Sequence, residues 1–127
     1  MSFLPSADLK YLTTKGVRYE ELVVGDQKAV IFMAWELEPG RFDHPLVDIL
    51  VLLPSGYPDT GPDMFHTLPW LRLASVSRYP RAADQSTNFN GQSWQRWSRH
   101  NSDWRPGRDG IWTVVKRIEH AFEVAQA

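Results

Sequence analysis

Residues 54–63 restrict the fold of this chain more than any other segment. Three prolines and two glycines follow one another closely there, at Pro54, Gly56, Pro58, Gly61 and Pro62. Proline removes a backbone N–H donor and fixes φ, so neither a helix nor a central strand continues through such a segment. The segment is therefore predicted to be a fixed loop, with the regular elements on either side of it.

A short helix is predicted at the N-terminus, over residues 5–14. Proline at the first turn favours a helix start, Ser6 or Asp8 is suited to cap it, and Gly16 is suited to end it.

Three strands are predicted between this helix and the proline-rich loop. Residues 17–24 and 29–37 are rich in β-branched and aromatic side chains, and the turn-forming residues 25–28 between them indicate a hairpin. Residues 46–53 give a third strand that only Asp48 interrupts. The predicted topology is a three-stranded antiparallel meander after a helix.

After the loop the pattern is less regular until the C-terminus. Residues 71–76 are predicted to be a fourth strand, and the polar residues 77–90 a long loop. Residues 110–125 show apolar side chains at three- and four-residue spacing, which predicts a helix that packs one face on the sheet. Asp109 is the expected N-cap of that helix. The expected fold is thus a single α+β domain over residues 1–127.

The composition excludes several kinds of chemistry. The chain has no cysteine, which rules out disulfides, thiolate metal sites and thiol catalysis. No segment approaches the roughly 20 apolar residues that span a membrane, so a cytoplasmic protein without a membrane segment is expected. No histidine and carboxylate pair has metal-ligand spacing, so neither a metal nor another cofactor is expected.

The polar side chains that carry chemistry are concentrated in residues 88–112. This stretch also holds four of the six tryptophans. The polar groups of interest are Asn88, Asn90, Ser93, Ser98, His100, Asn101 and Ser102. Rigid aromatic walls hold polar groups still and partly desolvate them, which is typical either of a site or of a polar loop fixed to a core.

Three motifs relate the chain to a known fold. The first is Tyr57-Pro58, Gly61-Pro62 and Phe65-His66-Thr67; the second is Asn90-Gly91-Gln92-Ser93; the third is Trp104-Arg105-Pro106 before a helix. With the order of elements, they resemble the ubiquitin-conjugating (UBC-like) fold and, within it, the divergent prokaryotic family E of ubiquitin-conjugating-like proteins. The resemblance implies a UBC-like domain with an N-terminal helix, a meander sheet of about four strands and a C-terminal helix, without the extra C-terminal helices.

The resemblance also implies a role in a bacterial ubiquitin-like conjugation pathway, with a ubiquitin-like modifier and its activating enzyme as partners. The chain departs from the eukaryotic enzymes, since it lacks their histidine-proline-asparagine triplet and their nucleophilic cysteine. Transfer through a thioester on this chain is therefore impossible.

Alignment of the asparagine-glycine turn places Ser93 at or next to the cysteine position, with Trp94 as the alternative. The catalytic hypothesis is a transferase in which Ser93 carries the modifier as an oxyester, His100 acts as base, and Asn90 or Asn88 supports the oxyanion. A further hypothesis is hydrolysis by a Ser93 and His100 pair, although no acidic residue that would orient the histidine stands out in the sequence. Alternatively, Ser93 is a turn residue and His100 orders the loop, and the protein is a non-catalytic adaptor that binds the modifier or the activating enzyme.

Four arginines alternate with the tryptophans, at Arg96, Arg99, Arg105 and Arg108. Arginine beside aromatic rings is typical of single-strand nucleic-acid binding, but a domain with a pI near 6.4 is not the basic protein that such binding favours. Nucleic acid is thus an unexpected partner. The arginines are expected to meet an acidic protein surface, such as that of the modifier or its activating enzyme.

Overall fold

The computed structural model describes residues 2–100 and 103–127. Its elements are α1 (Ser6–Lys15), β1 (Tyr19–Val24), β2 (Gln27–Glu36), β3 (Leu46–Leu53), β4 (Phe65–Leu68), β5 (Gln85–Phe89), β6 (Gln92–Trp97) and α2 (Ile111–Val124). All strands pair antiparallel in one sheet of order β1-β2-β3-β4-β6-β5. The α+β class is confirmed, but the sheet has six strands rather than about four.

The first half of the chain follows the predicted helix and meander closely. α1 ends at Gly16, whose φ of 76° lies in the left-handed region that glycine adopts freely. The capping prediction was wrong: Pro5 is the N-cap of α1, and no side chain caps this helix. Asp8 points instead into the protein interior and is only 4% exposed.

Asp48, the one polar residue of β3, stabilises a bulge in the adjacent strand β2. The register between β2 and β3 shifts between Phe32 and Trp35. Within the bulge Ala34 has a φ of 51°, and its N–H donates to Asp48 Oδ1 at 2.9 Å. A carboxylate inside an otherwise apolar strand thus satisfies a backbone donor that the bulge removes from the ladder.

The fourth strand lies earlier in the chain than predicted, at β4, and residues 71–76 are not a strand. Leu73 forms only isolated bridges, to Phe42 and to Arg78. Its N–H is used inside a turn, where it donates to the Arg78 carbonyl at 2.7 Å. The apolar run was misleading because its leucines are buried beneath the sheet face rather than paired along an edge.

The predicted loop over residues 77–90 was also partly wrong, because it contains β5. This strand pairs only with β6 and so forms an edge of the sheet. Of its residues only Phe89 is buried. An edge strand with so little buried surface lacks the apolar alternation by which strands are recognised.

The C-terminal helix was predicted correctly to within a residue, and its apolar face is buried on the sheet. Its N-cap is Gly110 and not Asp109. The Asp109 side chain accepts hydrogen bonds from the Arg105 backbone N–H at 2.8 Å and from the Thr113 hydroxyl at 3.0 Å. The adjacent Arg105 guanidinium is the main reason why the pKa of Asp109 is lowered to about 2.

The core lies between one face of the sheet and both helices. Phe122 of α2 is its centre, with ring centroids 5.2–6.4 Å from those of Trp35, Phe42, Phe65 and Trp97. The opposite sheet face carries a second apolar cluster, to which neither helix contributes: Ala29, Ile31, Leu50, Phe89 and Trp94. We call this side the helix-free face.

Candidate functional site

The asparagine-glycine motif forms the hairpin turn between β5 and β6. Phe89 pairs with Gln92, so the loop contains only Asn90 and Gly91, whose φ angles are 50° and 80°. Two consecutive residues with positive φ are typical of a type I′ turn, which matches the twist of the flanking strands. The motif therefore has a complete structural explanation in the hairpin.

Ser93 lies one residue into β6 and is exposed. It is paired directly with Asn88, so the two side chains lie on the same face of the sheet, with Cβ atoms about 5 Å apart. The Ser93 backbone carbonyl accepts a hydrogen bond from Trp70 Nε1 at 3.0 Å. An exposed hydroxyl beside an amide side chain is thus present, as one version of the catalytic hypothesis requires.

His100 lies three residues beyond the other end of β6, which is Trp97. Ser93 and Trp97 are separated by about 13 Å along the strand at roughly 3.3 Å per residue, and His100 follows Trp97. The His100 ring nitrogen Nδ1 is 3.1 Å from Asp63 Oδ2, and Asp63 lies two residues before Phe65, which pairs with Trp97. The structure therefore does not bring Ser93 and His100 together, whereas a serine and its base must be within about 3 Å.

Asn101 and Ser102, which contribute to the polar density of the sequence, lie outside the described residues. Of the four tryptophans in this stretch, Trp94 and Trp97 are buried, and Trp104 and Trp112 are half-buried. These tryptophans therefore mainly pack within the domain rather than form an exposed binding surface.

Gln95, a residue that the sequence did not single out, is the most completely bonded polar group of β6. It is fully buried. Its Oε1 accepts from the Thr67 hydroxyl and the Leu71 N–H, both at 2.7 Å. Its Nε2 donates to the carbonyls of Leu71 at 2.9 Å and Ala83 at 2.8 Å. One amide thus fixes the segment between β4 and β5 onto the sheet.

The proline-rich loop and the tryptophan-proline turn pack against each other. Trp104 Nε1 donates to the Pro58 carbonyl at 2.8 Å, and its ring lies 6.1 Å from that of Tyr57. A Cβ at Gly61 would lie only 2.1 Å from a ring carbon of Trp104, so glycine is required at this position. The two motifs of the resemblance therefore form one structural unit.

Asp8 connects this unit to both helices. Its Oδ1 accepts the Ile111 N–H at 3.1 Å, and its Oδ2 accepts the Tyr57 hydroxyl. The first helix thus supplies a carboxylate to the N-terminus of the second, where free N–H groups and the helix dipole favour an anion. Gly110 makes the approach possible, because a Cβ there would lie 2.7 Å from Asp8 Oδ1.

The Tyr57 contact has a consequence for alkaline stability. Burial raises the pKa of Tyr57 well above its usual value, and the Asp8 carboxylate raises it further. The unfolded chain releases this phenolic proton near pH 10, while the folded chain retains it to higher pH, so folding is progressively disfavoured above about pH 10. We expect the unfolding free energy of wild type to fall more steeply above pH 10 than that of Tyr57→Phe in urea titrations. Tyr11→Phe should keep the steep fall, and equal slopes in wild type and Tyr57→Phe would contradict this assignment.

The helix-free face carries a groove of about 680 Å³ beside the proline-rich loop. His66 and Arg96 line it as direct cross-strand partners on β4 and β6. Burial lowers the pKa of His66, the nearby Arg96 lowers it further, and a contact with the Leu50 carbonyl opposes them. His66 is therefore a neutral imidazole near neutral pH, and Arg96 is the cation of this groove.

The arginines of the stretch do not form one patch. Arg96 faces the groove on the helix-free side, Arg99 lies 5.2 Å from the Trp97 ring, and Arg105 pairs with Asp109 at 2.9 Å. A partner that uses one face of the domain therefore meets only some of them.

Within residues 2–100 and 103–127, no group of three histidine, aspartate or glutamate side chains is arranged to hold a metal ion. The helices of the same residues are too short and too polar to cross a membrane.

The sequence model of Prokaryotic E2 family E matches residues 4–125, which include both helices and the whole sheet. Comparison with curated proteins found no match, and comparison with solved structures found none either.

Proposed function

Because this chain belongs to Prokaryotic E2 family E, we propose that it works in a bacterial ubiquitin-like conjugation pathway as a non-catalytic adaptor, which binds the modifier or its activating enzyme. Family membership supports a ubiquitin-conjugating-like role in general. The finer assignment is carried by one observation: in a chain without cysteine, Ser93 lies near the start of β6 and His100 lies three residues beyond its end.

The absence of a thiol is why this observation supports an adaptor. A hydroxyl is a weak nucleophile unless a base removes its proton, and the base must reach the hydroxyl directly or through one water. His100 instead contacts Asp63, and its side chain is 71% exposed. An adaptor needs no such catalytic pair. It needs only a surface that binds other proteins of the pathway.

A second candidate is supported by the exposed Ser93 beside Asn88. In it, the Ser93 oxygen attacks the carbonyl carbon of the modifier's thioester on the activating enzyme. The enzyme's thiolate leaves and takes up the hydroxyl proton. The Asn88 side chain donates to the developing oxyanion, and no histidine takes part.

Intact-mass spectrometry separates the two candidates. The protein is incubated with the modifier and activating enzyme of its own operon and with ATP, and the binding of each partner is measured by calorimetry. For an adaptor we expect binding to at least one partner and no gain in mass. Ser93→Ala and its matched control Ser86→Ala, an exposed serine of β5, should both bind as wild type does.

A modifier-sized adduct that hydroxylamine cleaves, and that disappears in Ser93→Ala but not in Ser86→Ala, would overturn the adaptor and establish the oxyester. Absence of both binding and adduct would refute both candidates.

A further inference from the structure

A second groove lies on the outer side of α2, away from the helix-free face. It has a volume of about 390 Å³, within the range of about 300–1,000 Å³ that is common for small-ligand pockets. We call it the α2 groove; it is lined by Arg99, His100, Trp112, Thr113, Lys116, Arg117, His120, Ala121 and Val124.

The lining of the α2 groove combines apolar and cationic side chains. Trp112, Ala121 and Val124 supply apolar surface, and Val124 is 53% exposed, one of the few large apolar side chains that face solvent. Arg99, Lys116 and Arg117 supply positive charge. Among the described residues no aspartate or glutamate lines the groove.

The cations of the α2 groove have hydrogen-bonding capacity to spare. Arg99 donates to the carbonyl of its neighbour Ser98, and Arg117 to the carbonyl of His100 at 3.4 Å. None of the ion pairs found between described residues involves Arg99, Lys116 or Arg117. Because their described hydrogen bonds go to neutral carbonyls, Arg99 and Arg117 retain N–H donors for a carboxylate, which such groups hold in charge-assisted hydrogen bonds.

Partial burial of the Arg99 and Arg117 guanidinium groups also favours the binding of an anion. Burial lowers the pKa of Arg99, and burial lowers that of Arg117 although three aspartates, Asp63, Asp109 and Asp103, oppose the change. Both groups stay protonated at neutral pH. A partly desolvated cation gains more from an incoming anion than a fully hydrated one, because less water has to be removed.

We propose that the α2 groove binds an acidic peptide segment that inserts one aliphatic side chain against Trp112, Ala121 and Val124 and places its carboxylates on Arg99, Lys116 and Arg117. Charge complementarity favours this occupant: the lining includes three cations and no carboxylate beside its apolar side chains, and Asp63, which is not a lining residue, contacts the lining residue His100. The inference goes beyond the proposed function and does not depend on it, because it concerns a site that needs neither the modifier nor the activating enzyme.

The test uses the full chain and a fluorescein-labelled synthetic peptide of aspartate and glutamate residues with one central leucine. Fluorescence anisotropy should show binding that weakens with added salt, as exposed charge pairs do. Lys116→Glu with Arg117→Glu should weaken binding by at least about tenfold, because two ion pairs are replaced by two repulsions. Lys116→Glu alone changes an exposed residue and should weaken binding while the fold is preserved.

The matched control is Arg78→Glu, a charge reversal at an exposed arginine outside the groove, which should leave the affinity unchanged. A peptide in which serine replaces the leucine should bind more weakly. The proposal is overturned by an absence of peptide binding, by equal weakening in Arg78→Glu, or by equal affinity of the serine peptide. Tighter binding of a single-stranded oligonucleotide at the same residues would also overturn it.

Discussion

Replacement of Gln95 with leucine is expected to lower the unfolding free energy by about 3 kcal/mol or more, because it leaves several buried polar groups without partners, each costing about 1–3 kcal/mol. The groups are the N–H and C=O of Leu71 and the C=O of Ala83, and the Thr67 hydroxyl loses its acceptor while it still accepts from Trp97 Nε1. Leucine has a similar size, so the loss reports the hydrogen bonds rather than a cavity. The segment between β4 and β5 should lose its attachment first.

Urea unfolding followed by tryptophan fluorescence measures this change, since Trp94 and Trp97 flank position 95 in the buried part of β6. The control is Gln92→Leu, the same substitution at an exposed position of the same strand, for which a change within about 0.5 kcal/mol is expected. If both variants lose the same small amount of unfolding free energy, the Gln95 amide is not what fixes the segment between β4 and β5 onto the sheet.

The parts of the fold that could be predicted from the sequence are those whose signal is local. The α2 pattern repeats over several turns, and β2 and β3 are long apolar runs, so tertiary context does not have to be known. β5 could not be predicted because an edge strand buries little surface. Residues 71–76 looked like a strand because leucines are buried by a turn as well as by a sheet.

The candidate site was harder to predict from the sequence, because its geometry depends on where each residue lies relative to the two ends of β6. The distance between Ser93 and His100 along the chain is short, but an extended strand converts it into a large separation in space. The role of Gln95 could not be recognised from the sequence, since an isolated glutamine beside tryptophans is as typical of an exposed strand position as of a buried one. Asp8 was recognised as a capping residue, yet the helix that it caps begins at Ile111.

The second large effect is expected at Asp8. Asp8→Ala removes the acceptor for the Ile111 N–H, and loss of a helix cap costs about 0.5–2 kcal/mol. It also leaves the Tyr57 hydroxyl without its partner, which adds about 1–3 kcal/mol. Together we expect a loss of about 2–4 kcal/mol in unfolding free energy, measured in urea. Asp84→Ala, which removes an exposed carboxylate, is the control and should change little.

A double-mutant cycle with Tyr57→Phe separates the two roles of this carboxylate. Tyr57→Phe keeps the cap on α2, so it should cost less than Asp8→Ala. In the double variant the hydroxyl is already absent, so the combined loss should fall short of the sum by about 1 kcal/mol, as is common for residues in contact. Strict additivity would show that Tyr57 and Asp8 act independently, so that their hydrogen bond does not hold the proline-rich loop. Coupling of the expected size would show that one aspartate of α1 links the loop to the start of α2.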